Sequence, residues 1–407
     1  MTELHRKILI TGADGYIGSN LKIYLESRGY EVYALTQEGS KRERYYQVDI
    51  IDEKTVLKVI KEIDPSVIIH TAGISSLNQC EKDKDFAWKV NVEGTRNIIE
   101  AVKKINSSIK LIFMSSDYVF DGERGDYKES DKLNPKTYYG KTKAESEKDI
   151  KEGLENYVIC RTANVYGRGG NFFNFVCESL SQGKSIDVFN DVFYTPTYID
   201  YLVNCVGGLL EKDFKGVIHV TGKEKVSRYQ FALLVAEAFG MDKNLIKAVK
   251  QPDGGLIAKD SSLNSTFSLE YLNNFCPTIE KSLRYCSGDL ISPYFYFKDE
   301  RGKIIGLIQD EKFEEINYIE SKGDSIRGNH YHRETKEAFF IISGKIRVEL
   351  TDVEDKKKSA FIVEGGDFFI VRPNTNHIFY VLENSVWINM LSKSMKNGEE
   401  DFFKLES

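Results

Sequence analysis

At 407 residues the chain is longer than one hydrophobic core usually serves, so two domains are the first expectation. Apolar residues make up 41% and charged residues, well mixed in sign, 29%, which argues against disorder. A net charge of −6 without any long basic run speaks against nucleic acid or an anionic membrane as partner.

The first apolar run, Lys7–Thr11, reads as a strand and not as the core of a signal peptide, and no run nears the roughly 18 apolar residues of a membrane span. The six cysteines (Cys80, Cys160, Cys177, Cys205, Cys276, Cys286) form no C-x-x-C pair and read as reduced thiols. A soluble, cytoplasmic protein is expected.

Up to about Arg161, short β-branched runs alternate with amphipathic stretches. Strands are predicted at Lys7–Thr11, Glu31–Leu35, Ser66–His70, Lys110–Met114 and Tyr157–Arg161, and helices at Gly15–Arg28, Glu53–Ile63, Asp85–Ile105 and Thr137–Leu154. This alternation implies βαβ units and a doubly wound parallel sheet. "TGADGYIG" follows the first strand and opens the first helix, with Gly12, Gly15 and Gly18 framing Tyr16 and Ile17. Glycines there let backbone N–H groups and a helix N-terminus approach a pyrophosphate, so a dinucleotide is expected.

The second strand ends "YALTQEG", with no acid for a ribose 2′-hydroxyl. Thr36, Lys41, Arg42 and Arg44 are instead placed to meet a 2′-phosphate, which favours NADPH over NADH. Asp49 is a candidate adenine contact, and "HTAG", with Ala72 and Gly73, a small-residue turn beneath the cofactor.

Tyr139 and Lys143 in "YYGKTK" are four apart and share a helix face, whereas Tyr138 points elsewhere. An ammonium beside a phenol stabilises phenolate and makes the proton available to a carbonyl oxygen as hydride arrives. Ser116, ending a strand in "IFMSSDYVFDG", offers a hydroxyl to the same oxygen. Beyond Thr162 the order loosens, with helices near Phe172–Gln182, Tyr201–Leu210 and Arg228–Gly240 and a strand at Val217–Val220.

These residues resemble the extended short-chain dehydrogenase/reductases. "SSDYVFDG", "TPTYIDYLV" and "AKDSSLNSTFSLEYL" resemble the dTDP-4-dehydrorhamnose reductase branch in particular. The resemblance implies a Rossmann-type domain over 1–288, its substrate part mainly 162–288. It also implies reduction of a 4-keto sugar nucleotide by Ser116, Tyr139 and Lys143, with Lys143 touching the cofactor too. Asp117 and Asn164 are assigned to the substrate. Asp117 is followed by Tyr118 where the related dehydratases carry Glu, which favours a reductase.

After Cys286 helical periodicity gives way to short strands and turns, read as an antiparallel barrel or sandwich over 289–407. His330 and His332 in "RGNHYHRETKEAFFIISG" share a strand face, Glu337 stands five residues on, and His377 follows a strand and a Pro-Asn turn. Three imidazoles and a carboxylate suit zinc or another borderline divalent ion. The spacing H-x-H-x₄-E-x₆-G resembles a cupin, which implies a jelly-roll. "DERG" and "IRGNHYH" resemble sugar-nucleotide 3,5-epimerases, in which the residue matching Arg327 holds phosphate.

The whole resembles capsular-polysaccharide enzymes that fuse a reductase to a zinc cupin. That implies epimerisation at C3 (or C3 and C5) followed by 4-reduction, in a homodimer. A 3,4-ketoisomerase and a non-catalytic dimerisation module are the alternatives for the tail.

Overall fold

The computed structural model describes residues 6–37, 42–167, 169–252, 254–299, 301–309, 311–394 and 401–405. The chain divides into two compact units, Met1–Ala236 with Asp242–Ile279, and Glu237–Met241 with Glu280–Ser407. The helix Ile279–Ser287 begins at that boundary.

The first unit is built on seven parallel strands: β1 (Lys7–Thr11), β2 (Glu31–Thr36), β3 (Tyr45–Gln47), β4 (Val67–His70), β5 (Lys110–Ser116), β6 (Tyr157–Thr162) and β7 (Gly216–His219). Their order across the sheet is β7-β6-β5-β4-β1-β2-β3. The central strands are buried along nearly their whole length, which is why they read as continuous apolar runs and not as alternations.

Leu9, Ile68, Leu111 and Ile159 share one core with Val56 and Ile60 of α2 (Glu53–Ile63), the helix that follows α1 (Tyr16–Ser27). Aspartate at the α2 N-cap accepts from the N–H groups of Lys54 and Thr55, fixing where that helix starts. Chain order reverses between β1 and β4, so the crevice outside their carboxyl ends is the expected ligand position.

The stretch read as one helix from Asp85 to Ile105 is interrupted. Lys84–Trp88 is α-helical, Lys89–Glu93 is a π-turn, and Gly94–Ile105 resumes the α-helix. Beyond Thr162 the small strands pair two by two, Val165–Tyr166 with Thr197–Tyr198, Phe193–Tyr194 with Val226–Ser227, and Ile186–Phe189 with Ile246–Val249.

Among its described residues from Glu280 on, the second unit is all-β apart from its leading helix. A hairpin pairs Phe295–Asp299 with Gly302–Gly306. Eight further strands follow: β8 (Glu315–Ser321), β9 (Ile326–His330), β10 (Glu337–Ser343), β11 (Lys345–Asp352), β12 (Lys358–Glu364), β13 (Phe368–Val371), β14 (Thr375–Val381) and β15 (Ser385–Leu391). They form two antiparallel four-stranded sheets, ordered β8-β15-β10-β13 and β9-β14-β11-β12. Phe339, Val348, Phe369, Phe379 and Trp387 fill one shared core between strands of both sheets. Among the described residues no helix is long and apolar enough to cross a membrane.

Candidate active site and histidine cluster

In the first unit β1 runs into the turn at Gly12 and then into the helix Tyr16–Ser27. Gly12 has φ +65°, and a Cβ on it would stand 2.7 Å from the Ala72 Cα. A Cβ on Gly18 would stand 2.2 Å from the Gly12 carbonyl oxygen. Only glycines allow the helix to sit this tightly against the turn. No side chain caps the helix at Gly15 and its first turn holds no acid, leaving its N–H groups for an anion.

A cavity of about 590 Å³ starts at Gly15, Tyr16, Ile17 and Gly18 and runs past Gly73 to Ser116, Asp117, Tyr139, Lys143 and Asn164. That is ample for a drug-sized ligand.

Other residues assigned to the cofactor do not line it. Gly12 and Ala72 pack against each other below its floor. Thr36 is buried at the end of β2. Asp49 is exposed and its Oδ1 accepts from the Ile51 N–H at 3.1 Å. Arg42 is exposed with its guanidinium 5.8 Å from the Tyr45 ring, and Arg44 lies 4.0 Å from Glu31. Lys41 lies outside the described residues.

The reacting groups converge because Tyr138–Gly153, the helix carrying Tyr139 and Lys143, approaches the turn after β5 closely. A Cβ on Gly140 would fall 2.1 Å from the Tyr118 carbonyl oxygen. Thr137 caps that helix through the Gly140 N–H at 3.1 Å. Burial pushes the Tyr139 phenol well above its ordinary range, opposed by a hydrogen bond with the Ser116 hydroxyl. Ser116 Oγ also donates to Asp117 Oδ1 at 2.8 Å.

Burial lifts the Asp117 carboxyl to about 6, and hydrogen bonds from Ser261 and Ser116 hold it lower than burial alone would. Lys143 lines the same cavity. Its Nζ donates to the Met114 carbonyl at 2.9 Å, and burial pulls its pKa down to about 8. Tyr138 does not line the cavity, and the Lys84 ammonium stands 5.6 Å from its ring centre.

Among the lining residues that the sequence did not reveal are Arg228, Phe172 and Tyr194. The Arg228 guanidinium sits 4.9 Å from the Phe172 ring centre and 6.0 Å from that of Tyr194. Its buried Nε has no hydrogen-bond partner. One signal was available, because Arg228 opens the helix Arg228–Ala238. A cation at a helix N-terminus opposes the dipole and needs another reason to be there.

In the second unit His330 ends β9, Glu337 starts β10 and His377 lies on β14, which pairs with β9. One donor atom each from His330, His332 and Glu337 lies within 4.8 Å of the other two. Glu337 Oε2 is 3.2 Å from His377 Nε2 and 3.6 Å from His332 Nε2. The His330 and His377 ring centres are 4.4 Å apart. His330, His332 and Glu337 therefore meet, and His377 joins them through Glu337.

Burial lowers His330 to about 4 and His377 to about 3, so both rings are neutral at pH 7, and burial raises Glu337. Glu337 Oε2 is buried without a hydrogen-bond partner. A buried carboxylate oxygen without a hydrogen bond, facing two imidazole nitrogens, suits a cation between them. Ligands about 2.0–2.1 Å from a tetrahedral ion stand about 3.4 Å apart, matching these separations. The donor set fits a zinc-like ion. Arg327 is exposed and its guanidinium donates to the Glu320 carbonyl at 2.9 Å.

Residues 297–392 match the family described as the polysaccharide biosynthesis C-terminal domain. The spore coat polysaccharide biosynthesis protein SpsK of Bacillus subtilis is 31% identical over 250 residues, covering 61% of this chain and 84% of that protein. The dTDP-4-dehydrorhamnose reductase of Aggregatibacter actinomycetemcomitans is 33% identical over 269 residues, covering 62% of this chain and 87% of that protein. Among solved structures, the dTDP-4-dehydrorhamnose reductase of Bacillus anthracis in complex with NADP superposes with a TM-score of 0.63 at 29% identity, covering 69% of this chain and 98% of that one. Residues 6–286 match the RmlD substrate binding domain, and on that match the chain belongs to the RmlD family.

Proposed function

We propose that the first unit is an NADPH-dependent reductase of a 4-keto-6-deoxy sugar nucleotide. The observation that carries the reading is Tyr139, one helical turn from Lys143 and lining with Ser116 the cavity that begins at the glycine cradle. Bound nicotinamide supplies the hydride. Tyr139 donates its phenolic proton to the ketone oxygen, and its raised pKa keeps that proton in place until negative charge builds on the oxygen. Ser116 holds the same oxygen. Arg228, a guanidinium between aromatic rings with an unpaired Nε, is suited to the substrate's diphosphate. The NADP-bound relative supports NADPH as the cofactor, with NADH the alternative.

The same reading makes the second unit a cupin that holds a divalent ion, zinc first, and epimerises at C3 (or C3 and C5). His330, His332, Glu337 and His377 would hold the ion, which supplies charge stabilisation for an enolate oxygen. The chemistry joins the two activities. A 4-ketone acidifies the adjacent C–H, and reduction removes the ketone and fixes the new configuration. A homodimer belongs to the proposal, supported by Ile316 and Tyr318, which are 67% and 64% exposed on the edge strand β8.

One observation favours a non-catalytic second unit instead: the Phe402 ring stacks on His330 at 4.2 Å. The deciding experiment is NMR of a 4-keto-6-deoxy sugar nucleotide in D₂O with enzyme and no nicotinamide. Deuterium at C3 or C5 with the 4-ketone kept supports the epimerase. A 3-keto product makes it an isomerase, and no exchange leaves the module structural. Adding NADPH must then consume the ketone, or the reductase reading fails.

A further inference from the structure

The segment Asp401–Phe403 is bound to the histidine cluster by contacts that ordinary packing does not require. The Asp401 carbonyl oxygen lies 2.5 Å from His332 Nδ1. A carbonyl only accepts, so Nδ1 carries the proton, and the lone pair of Nε2 is turned toward Glu337 Oε2 at 3.6 Å.

The Asp401 carboxylate gathers the loop that joins His332 to Glu337. Its Oδ1 accepts from the N–H groups of Arg333 at 2.7 Å and Glu334 at 3.1 Å. Its Oδ2 accepts from the Thr335 N–H at 2.8 Å and the Thr335 hydroxyl at 2.6 Å. Phe403 exchanges two backbone hydrogen bonds with Tyr331, at 2.9 and 3.0 Å, and the Arg333 guanidinium sits 4.0 Å from its ring centre. Phe402 lies over His330 with 23° between the ring planes.

We propose that Asp401 is a positioning residue for a cation site: it clasps the loop between two ligands and sets the His332 tautomer that exposes Nε2. The proposal rests on the reading of the cluster as a cation site. Without the carboxylate's clasp the segment carrying the Asp401 carbonyl is no longer tied to the loop, so His332 can take either tautomer and the ion must order both on binding. Groups that orient metal ligands in this way typically govern affinity by about 10–100-fold.

The test uses the full chain, with zinc as probe and a chelating dye as competitor. Asp401→Ala is expected to weaken zinc binding by about 10–100-fold. Asp401→Asn should fall between, because one oxygen still accepts while the amide meets the Thr335 donors. Nitrogen-15 NMR of the zinc-free protein should show His332 protonated at Nδ1 in the parent and a mixture of tautomers in Asp401→Ala, with the unfolding temperature nearly unchanged. Unaltered zinc affinity and tautomer in Asp401→Ala would overturn the clasp. The cation reading is scored separately: His377→Ala binding zinc as well as the parent, or a parent that binds none, overturns that reading and the proposal with it.

Discussion

Replacing Tyr139 by Phe removes one oxygen and leaves the ring. The phenol's partner, Ser116, keeps two other bonds: its hydroxyl donates to Asp117 Oδ1 at 2.8 Å and accepts from the Tyr118 N–H at 3.2 Å. No orphan is left behind, so the stability cost is about 1 kcal/mol or less. The Tyr118 ring, 6.1 Å away edge-on, packs against Phe as it does against Tyr. The rate should suffer far more. A positioned proton donor is worth about 10²–10⁴-fold, or about 3–5 kcal/mol of barrier. The assay is NADPH consumption with a 4-keto-6-deoxy sugar nucleotide, alongside nicotinamide fluorescence to measure cofactor binding. The expected result is a collapse of kcat with cofactor affinity preserved. Near-normal turnover would remove Tyr139 from the chemistry, and parallel loss of binding and turnover would mean that the ring shapes the pocket without donating a proton.

Arg228→Ala should raise KM for the sugar nucleotide by at least about tenfold, one charge-assisted hydrogen bond being worth about 1.5–3 kcal/mol, and leave KM for NADPH unchanged; equal changes in both would place Arg228 elsewhere in function. Arg42→Ala should raise KM for NADPH and spare NADH, and steady-state kinetics with both cofactors decides whether Arg42 meets the 2′-phosphate. Asp117 carries a folded pKa of about 6 against an ordinary 3.8, so the folded state holds a proton that the unfolded state has lost between these values. Stability therefore falls as pH rises through that window, by up to about 3 kcal/mol. Asp117→Asn should flatten the window, so thermal melts at pH 4 and pH 8 should differ less in the variant; an unchanged difference refutes this account.

The parallel sheet was legible because its central strands are uniformly apolar and bounded by helices of clear period. The π-turn was not, since one extra residue inside Asp85–Ile105 leaves the composition helical. The groups proposed to react, Ser116, Tyr139 and Lys143, stood in short motifs, and the structure brings them to one cavity. The Met114 carbonyl that accepts from the Lys143 ammonium is a backbone partner that no motif encodes. Arg228 was invisible for another reason: it is distant in sequence from Tyr139 and reaches the cavity through tertiary packing. The clustered histidines could be matched through strand periodicity and a turn. The residue that holds His332, Asp401, approaches from a segment whose sequence has no periodic signal.

The π-turn at Lys89–Glu93 has one more consequence. Asn91 on it accepts from the Ile74 N–H at 2.7 Å and donates to the Thr142 hydroxyl at 3.0 Å, one residue before Lys143. Its backbone carbonyl accepts from Ser146 at 2.9 Å. The extra residue thus works as a spacer that aims a single amide at the loop under the cofactor cavity and at the helix bearing the reacting phenol. Deleting one residue here would give a smoother helix and a worse enzyme. Each residue turns an α-helix by about 100°, so regularising the segment would swing Asn91 out of this joint. Sequence drift in this family should therefore tolerate changes of side chain along the segment more readily than a change in its length.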